Sequence, residues 1–319
     1  MVKKGIQVLK ARIGLISNEP SLIEKNNFYL METDFREIKE ISFDGNFDAY
    51  LYIYDFPDMP AKIIRDGKDI IALGDFSKLH KEAKDLRYSL LGNEGLLYRY
   101  ILNILEEKHN IYSFHSAVLF NEENEILYII AGGAGSGKTV FLLNAIEKNL
   151  KIFSTEMGHF KIKEGNVIFY KGSLFDNVRI ENLKEDFPNA SKVLGLDRIS
   201  IKSNWGKVTL DLRRFQTEFD EIKNPKIFLI FPHVEKERKE IIKKEIKDER
   251  DKIKFIFDNI SQKPGETILL YEKIPIYGFD TETSLKKRIE NVKDFLKYAN
   301  LKGFFSLVGG IKNCFEIIK

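Results

Sequence analysis

The chain predicts an α/β protein, a nucleotide-binding core preceded by a small β-rich domain, and three observations carry that prediction. Residues 132–139 read Gly-Gly-Ala-Gly-Ser-Gly-Lys-Thr and satisfy the phosphate-loop pattern G-x-x-x-x-G-K-[ST] at every fixed position. The loop lies between Ile126-Leu127-Tyr128-Ile129-Ile130-Ala131, an apolar run of buried-strand type, and Val140 to Lys148, an amphipathic helix with Phe141, Leu142, Ala145 and Ile146 on its apolar side. Residues 1–90 instead alternate short apolar stretches with turn material.

Taken in order, the N-terminal part predicts strands at Ile6 to Ile16, Phe28 to Met31, Ile38 to Phe43, Ala49 to Tyr54 and Ile70 to Leu73. From Asn93 to Glu107 the positions Leu96, Leu97, Tyr100, Ile101, Ile104 and Leu105 recur at helical spacing and predict a helix joining this part to the core. A strand at Tyr112 to Phe120 and a hairpin at 121–125 lead into the loop strand. Further strands follow at Lys151 to Ser154, Val167 to Tyr170, Lys207 to Leu212, Ile227 to Phe231 and Ile268 to Ile274. The charged stretch Glu235 to Lys254, interrupted by Ile241, Ile242, Ile246 and Ile253, predicts an exposed helix with one apolar stripe. A last amphipathic helix begins near Thr283-Ser284 and carries Leu285, Ile289, Val292, Phe295 and Leu296. The expected domains are 1–90 and 91–319.

Composition narrows the class. The chain has 319 residues, of which 43% are hydrophobic and 12% aromatic, and this supports a globular core over disorder. Its 51 basic and 48 acidic residues leave a net charge of +3 with no basic stripe, which argues against a nucleic-acid partner. The single cysteine, Cys314, excludes an intrachain disulfide and reads as a small apolar filler. No apolar run reaches the roughly 20 residues that cross a bilayer, and the first residues lack an apolar signal core. The sequence therefore predicts a cytoplasmic protein with no membrane partner, and it leaves a homo-oligomer open.

The chemistry concentrates at the loop. Gly132, Gly133, Ala134, Gly135, Ser136 and Gly137 let backbone amides turn inward around an anion, Lys138 supplies a mobile cation, and Thr139 supplies a hydroxyl suited to magnesium. His115 lies on the strand predicted to pair with the loop strand, where a hairpin brings it beside the phosphates. Glu156 follows the strand after the loop helix, at the sheet edge that bears the loop, and could bind magnesium or accept a proton from a hydroxyl nucleophile. His159 follows close behind. Arg213 and Arg214 could touch phosphate or simply face solvent. The strand Lys226 to Pro232 ends without an acid, which directs attention to Glu156.

With Phe114-His115-Ser116-Ala117-Val118, then Gly132 to Thr139, then Ile152-Phe153-Ser154-Thr155-Glu156, the chain resembles the HPr kinase/phosphorylase family, which shares a core with phosphoenolpyruvate carboxykinase. The resemblance covers roughly residues 90–298. It implies a magnesium-dependent kinase in which His115, Lys138 and Glu156 are catalytic, Gly132 to Thr139 hold ATP or another nucleotide, and Thr139 and Glu156 place Mg2+. The family has two adjacent aspartates at the positions held here by Thr155 and Glu156, and a threonine cannot serve as the base. Its carboxyl-terminal signature for a carrier-protein substrate is not recognisable, which argues against phosphorylase activity on HPr. The expected acceptor is a hydroxyl of a small protein, a peptide or a metabolite. The alternative is a nucleotide-binding regulatory or peptide-presenting module with little catalysis.

Overall fold

The computed structural model describes residues 1–23, 38–179, 184–195, 207–311 and 315–316. It is a mixed α/β protein that divides into two compact units, residues 1–112 with 261–286, and residues 113–260 with 287–319. The predicted strand Phe28 to Met31 and Cys314 lie outside the described residues. Among the described residues no helix is long and apolar enough to cross a membrane.

The first unit is built on a sheet of β1 (Val2–Val8), β2 (Ala11–Ser17), β3 (Ile38–Ile41), β4 (Ala49–Asp55), β5 (Lys62–Asp66) and β6 (Asp69–Gly74) in the order β3-β1-β2-β4-β6-β5. The apolar stretch Ile6 to Ile16, read from sequence as one strand, is a hairpin that turns at Leu9, which has a φ of 49°. Strands β2, β4 and β6 run parallel. Alternation buries Ala49, Leu51 and Ile53 on one face of β4 and stacks Tyr50, Tyr52 and Tyr54 on the other. Helix α1 (Phe76–Glu82) is capped by Asp75, whose carboxylate accepts from the Lys78 amide. Helix α2 (Leu96–His109), predicted as a connector, belongs to this unit and packs on β2. Its buried Arg99 donates to the Lys263 carbonyl at 2.6 Å and to Glu266 at 3.1 Å.

The second unit carries a nine-stranded sheet among the described residues. Its strands are β7 (Ile111–Asn121), β8 (Ile126–Ala131), β9 (Lys151–Ser154), β10 (Met157–Lys163), β11 (Asn166–Tyr170), β14 (Glu221–Lys223), β15 (Lys226–Val234), β16 (Ile242–Glu245) and β19 (Asn300–Gly309). The path is β14-β11-β10-β7-β8-β15-β19-β16, and β9 pairs with β7. Strand β15 runs parallel to both β8 and β19, so its C-terminal end stands beside the end of β8. Helix α3 (Lys138–Glu147) follows β8 and buries Phe141, Leu142 and Ala145 against Ala117, Leu119, Tyr128 and Ile130 of the sheet. Leu174, Val178, Leu210 and Leu212 join the same cluster, brought there by the antiparallel pair β12 (Phe175–Arg179) and β13 (Lys207–Asp211). The sheet's other face receives Phe295 of the helix Glu282–Tyr298. Its ring lies 5.4 Å from Phe114 and 5.0 Å from Phe160. Helix α4 (Pro188–Val193) buries Ala190 in the α3 cluster.

Two sequence expectations need correction here. The stretch Glu235 to Lys254 is not one helix: residues 242–245 form the edge strand β16, paired antiparallel with β19, and helix α5 (Glu249–Gly265) begins only afterwards. All four β16 residues are exposed, as suits a lysine-bearing edge, so mixed charge marked a solvated surface and not its conformation. Ile268 to Ile274 is a hairpin, β17 (Ile268–Leu270) and β18 (Ile274–Ile276), turned through Tyr271 and Glu272 at φ of 50° and 60°. The last helix, α6 (Glu282–Tyr298), begins near Thr283-Ser284 as expected, and Thr281 and Ser284 cap it reciprocally. The Ser284 amide donates to the Thr281 hydroxyl oxygen, and the Thr281 amide to that of Ser284.

Candidate functional site

The ends of β7 and β8, the loop 132–137 and the turn between β9 and β10 meet at one edge of the second unit's sheet. Register explains the meeting. Ser116 pairs with Ala131, so His115 lies level with Gly132, and the Ser116 amide donates to the Glu156 carbonyl at 3.1 Å. The sequence-predicted residues are thereby brought together. The Lys138 ammonium donates to the Gly132 carbonyl at 2.7 Å and the Gly133 carbonyl at 3.1 Å, and it lies 3.2 Å from His115 Nε2. His115 Nε2 lies 3.6 Å from Glu156 Oε2. The His115 side chain is 6% exposed and that of Glu156 32%, so of these two Glu156 is the one that solvent and an acceptor can reach.

The loop's own geometry suits an anion. Gly135 and Gly137 hold φ of 81° and 105°, conformations that other residues rarely adopt. A Cβ on Gly137 would stand 2.2 Å from Val234 Cγ2, whereas nothing lies within 4 Å of one on Gly135, which leaves open space there. The Val234 amide donates to the Ser136 carbonyl at 3.2 Å, so the end of β15 braces the loop from behind. The Ser136 hydroxyl is buried with no protein partner, and the first turn of α3 adds its amide hydrogens and dipole. Strand β15 runs two residues beyond the expected Pro232, so an acid, Glu235, does follow its end, and that carboxylate pairs with Arg238 at 3.0 Å while Val234 braces the loop.

Sequence reasoning missed Asp176. It lies on β12 between Leu174 and Val178, on the side of the strand that packs toward α3, and accepts a hydrogen bond from Thr139 Oγ1 at 2.9 Å. Burial pushes its carboxyl up to about 7, helped by the nearby Glu156 charge and opposed by the Thr139 hydrogen bond and the Lys138 charge. The signal was a lone acid at an inward position of a short alternating strand. The partner strand, 207–212, was recognised from sequence, whereas 175–179 was not. Thr155, which stands where the resembling family has an acid, is buried, and its hydroxyl lies 3.0 Å from the Ser173 carbonyl and 2.6 Å from the Phe175 carbonyl. A carboxylate at 155 would face those two oxygens with no proton to offer, so the hydroxyl there fixes the backbone next to Asp176.

Thr139, Asp176 and Glu156 present only oxygen ligands, the set a hard cation takes. Among the described residues no group of three or more His, Cys, Asp or Glu is arranged to hold a metal ion alone. A magnesium ion bound through one or two carboxylates and completed by phosphate oxygens and water fits that donor set. The remaining candidates stand aside. His159 is buried and its Nδ1 meets the Ser113 hydroxyl at 2.7 Å. Arg213 pairs with Asp211 and lies over the Phe175 ring, and Arg214 donates to the Val193 carbonyl.

A pH dependence follows from Asp176. Its folded pKa lies above the ordinary aspartate value of 3.8, so between about pH 4 and 7 the folded state binds more protons than the unfolded state. Stability of the nucleotide-free protein should fall as pH rises through that window, by at most about 1.4 kcal/mol per unit, and level off above it. Asp176→Asn should flatten the slope in urea unfolding measured from pH 4.5 to 8, and an unchanged slope would remove Asp176 as its source.

No protein-family model and no curated protein matches this sequence, so the reading of function rests on the site itself.

Proposed function

We propose that this chain is a magnesium-dependent phosphotransferase with a phosphate-loop core of the HPr kinase type, passing the γ-phosphoryl of ATP or another nucleotide to a hydroxyl. One observation carries the reading. A glycine loop with Lys138 and Thr139 converges with two carboxylates, Glu156 and Asp176, one solvent-accessible and the other buried against the Thr139 hydroxyl. Phosphoryl transfer needs a cradle for the phosphates, charge to neutralise the oxygens and a group that orients the nucleophile, and these residues supply all three.

In this mechanism the loop amides and Lys138 bind the β- and γ-phosphates, and Thr139 with Asp176 occupies the metal side of the site. Magnesium, when bound, neutralises charge on the phosphate oxygens. Glu156 orients the acceptor hydroxyl and takes its proton as the oxygen bonds to the γ-phosphorus and the bond to the β-phosphate oxygen breaks. His115, between Lys138 and Glu156, holds both side chains in place. The rival reading, a nucleotide-binding module without transfer, draws on Thr155, whose hydroxyl is occupied by backbone carbonyls and offers no second base.

The test is incubation with γ-labelled ATP and magnesium alongside serine-containing peptides and small alcohols. Label in an acceptor, with matching release of ADP, is the expected outcome. Binding with no acceptor-dependent turnover across the panel would favour the module, and no nucleotide binding would end both readings.

A further inference from the structure

We infer that Asn259, on helix α5, is a positioning residue for the glycine loop: its side-chain carbonyl takes the place of the Gly132 carbonyl in the β7–β8 ladder and so leaves the Gly132 carbonyl to the Lys138 ammonium. The inference rests on the proposed role of the loop.

The register makes the substitution visible. Strands β7 and β8 are antiparallel with Ser116 opposite Ala131, so the next pair is His115 with Gly132. A continued ladder would join these two by both of their backbone hydrogen bonds. One is made, from the Gly132 amide to the His115 carbonyl at 3.0 Å. The other is diverted. The His115 amide donates to Asn259 Oδ1 at 3.0 Å, and Asn259 Nδ2 donates to the His115 carbonyl at 3.1 Å. The Gly132 carbonyl instead accepts from Lys138 at 2.7 Å.

Asn259 is buried, and both halves of its amide are used on one residue of the neighbouring strand. A side-chain amide supplies an acceptor and a donor in one rigid plane, as a backbone peptide does. The helix thereby takes one of the two bonds of the His115–Gly132 pair, and the chain leaves the ladder where the loop begins. Without the amide, the His115 N–H would be left buried and unsatisfied or would reclaim the Gly132 carbonyl, since a buried donor without a partner is costly. Reclaiming it draws that carbonyl away from Lys138 and pulls the loop's first residue back toward the sheet.

Two variants test this, read by Mg-ADP affinity in calorimetry and by the 13C shift of the Gly132 carbonyl in the nucleotide-free protein. Asn259→Leu removes both halves of the amide at similar volume. It should weaken Mg-ADP binding by about tenfold or more, the scale of one buried hydrogen bond, and move the Gly132 carbonyl resonance. Asn259→Asp keeps an acceptor for the His115 amide, and because the new carboxyl is buried and faces the His115 carbonyl it is held protonated and keeps a donor as well, so affinity should stay within about threefold, the loss left by one weakened hydrogen bond, with the resonance near its parental place. A purely structural role would lower melting temperature in both variants and leave the resonance alike in both, and that outcome overturns the inference. If Asn259→Leu does not fold, a shifted resonance in Asn259→Asp alone overturns it and a parental one supports it. If the parent binds no nucleotide, the loop reading fails, and the carbonyl resonance still decides what Asn259 does.

Discussion

Lys138→Ala is expected to abolish nucleotide binding, or to weaken it by at least about a hundredfold, while the chain stays folded. The ammonium reaches two loop carbonyls and the His115 ring from the first turn of α3, so its charge is held at the mouth of the loop. Charged hydrogen bonds in a partly buried site contribute about 1.5–3 kcal/mol each, and the loss of two phosphate contacts reaches that factor. The half-buried stem contributes little packing, and the core side chains of α3, Phe141, Leu142 and Ala145, are untouched. Thermal-shift titration with magnesium and ATP gives the answer. A variant stabilised by nucleotide as much as the parent would show that the loop is not the site.

The two carboxylates should fail in different ways. Glu156→Gln should keep nucleotide affinity within about tenfold and lower transfer by roughly 10² or more at every magnesium concentration, the scale for loss of a general base. Asp176→Asn should also slow transfer, but its loss should be partly recovered as magnesium is raised, because it lies beside Thr139 on the proposed metal side. The amide can still accept the Thr139 hydrogen bond, so the site keeps its shape. His115→Ala should show a smaller loss than Glu156→Gln. Steady-state rates measured across a magnesium series separate these outcomes. Equal turnover numbers in the parent and Glu156→Gln would remove Glu156 from the mechanism, and a magnesium-independent defect in Asp176→Asn would place Asp176 elsewhere.

The sequence by itself determined the loop and the elements on either side of it. The glycine pattern, the apolar run 126–131 and the amphipathic stretch after it are local signals, set by backbone freedom and by side-chain periodicity over a few residues. His115 and Glu156 were also legible, because a hairpin and a strand–loop–helix unit bring neighbours in sequence back to one sheet edge. Local pattern fell short where partners decide conformation. The charged stretch 242–245 became a strand because β19 offered an edge, and helical propensity did not prevail. Asp176 and Asn259 were beyond its reach for a related reason. Asp176 meets Thr139 across 37 positions and Asn259 meets His115 across 144, so each is placed by the packing of a distant element. A carboxylate or an amide has the same appearance in sequence whether it faces water or a buried hydroxyl. Only the tertiary structure decides which of them water is kept from, and burial is what makes Asp176 an acid of about 7 and Asn259 a stand-in for backbone.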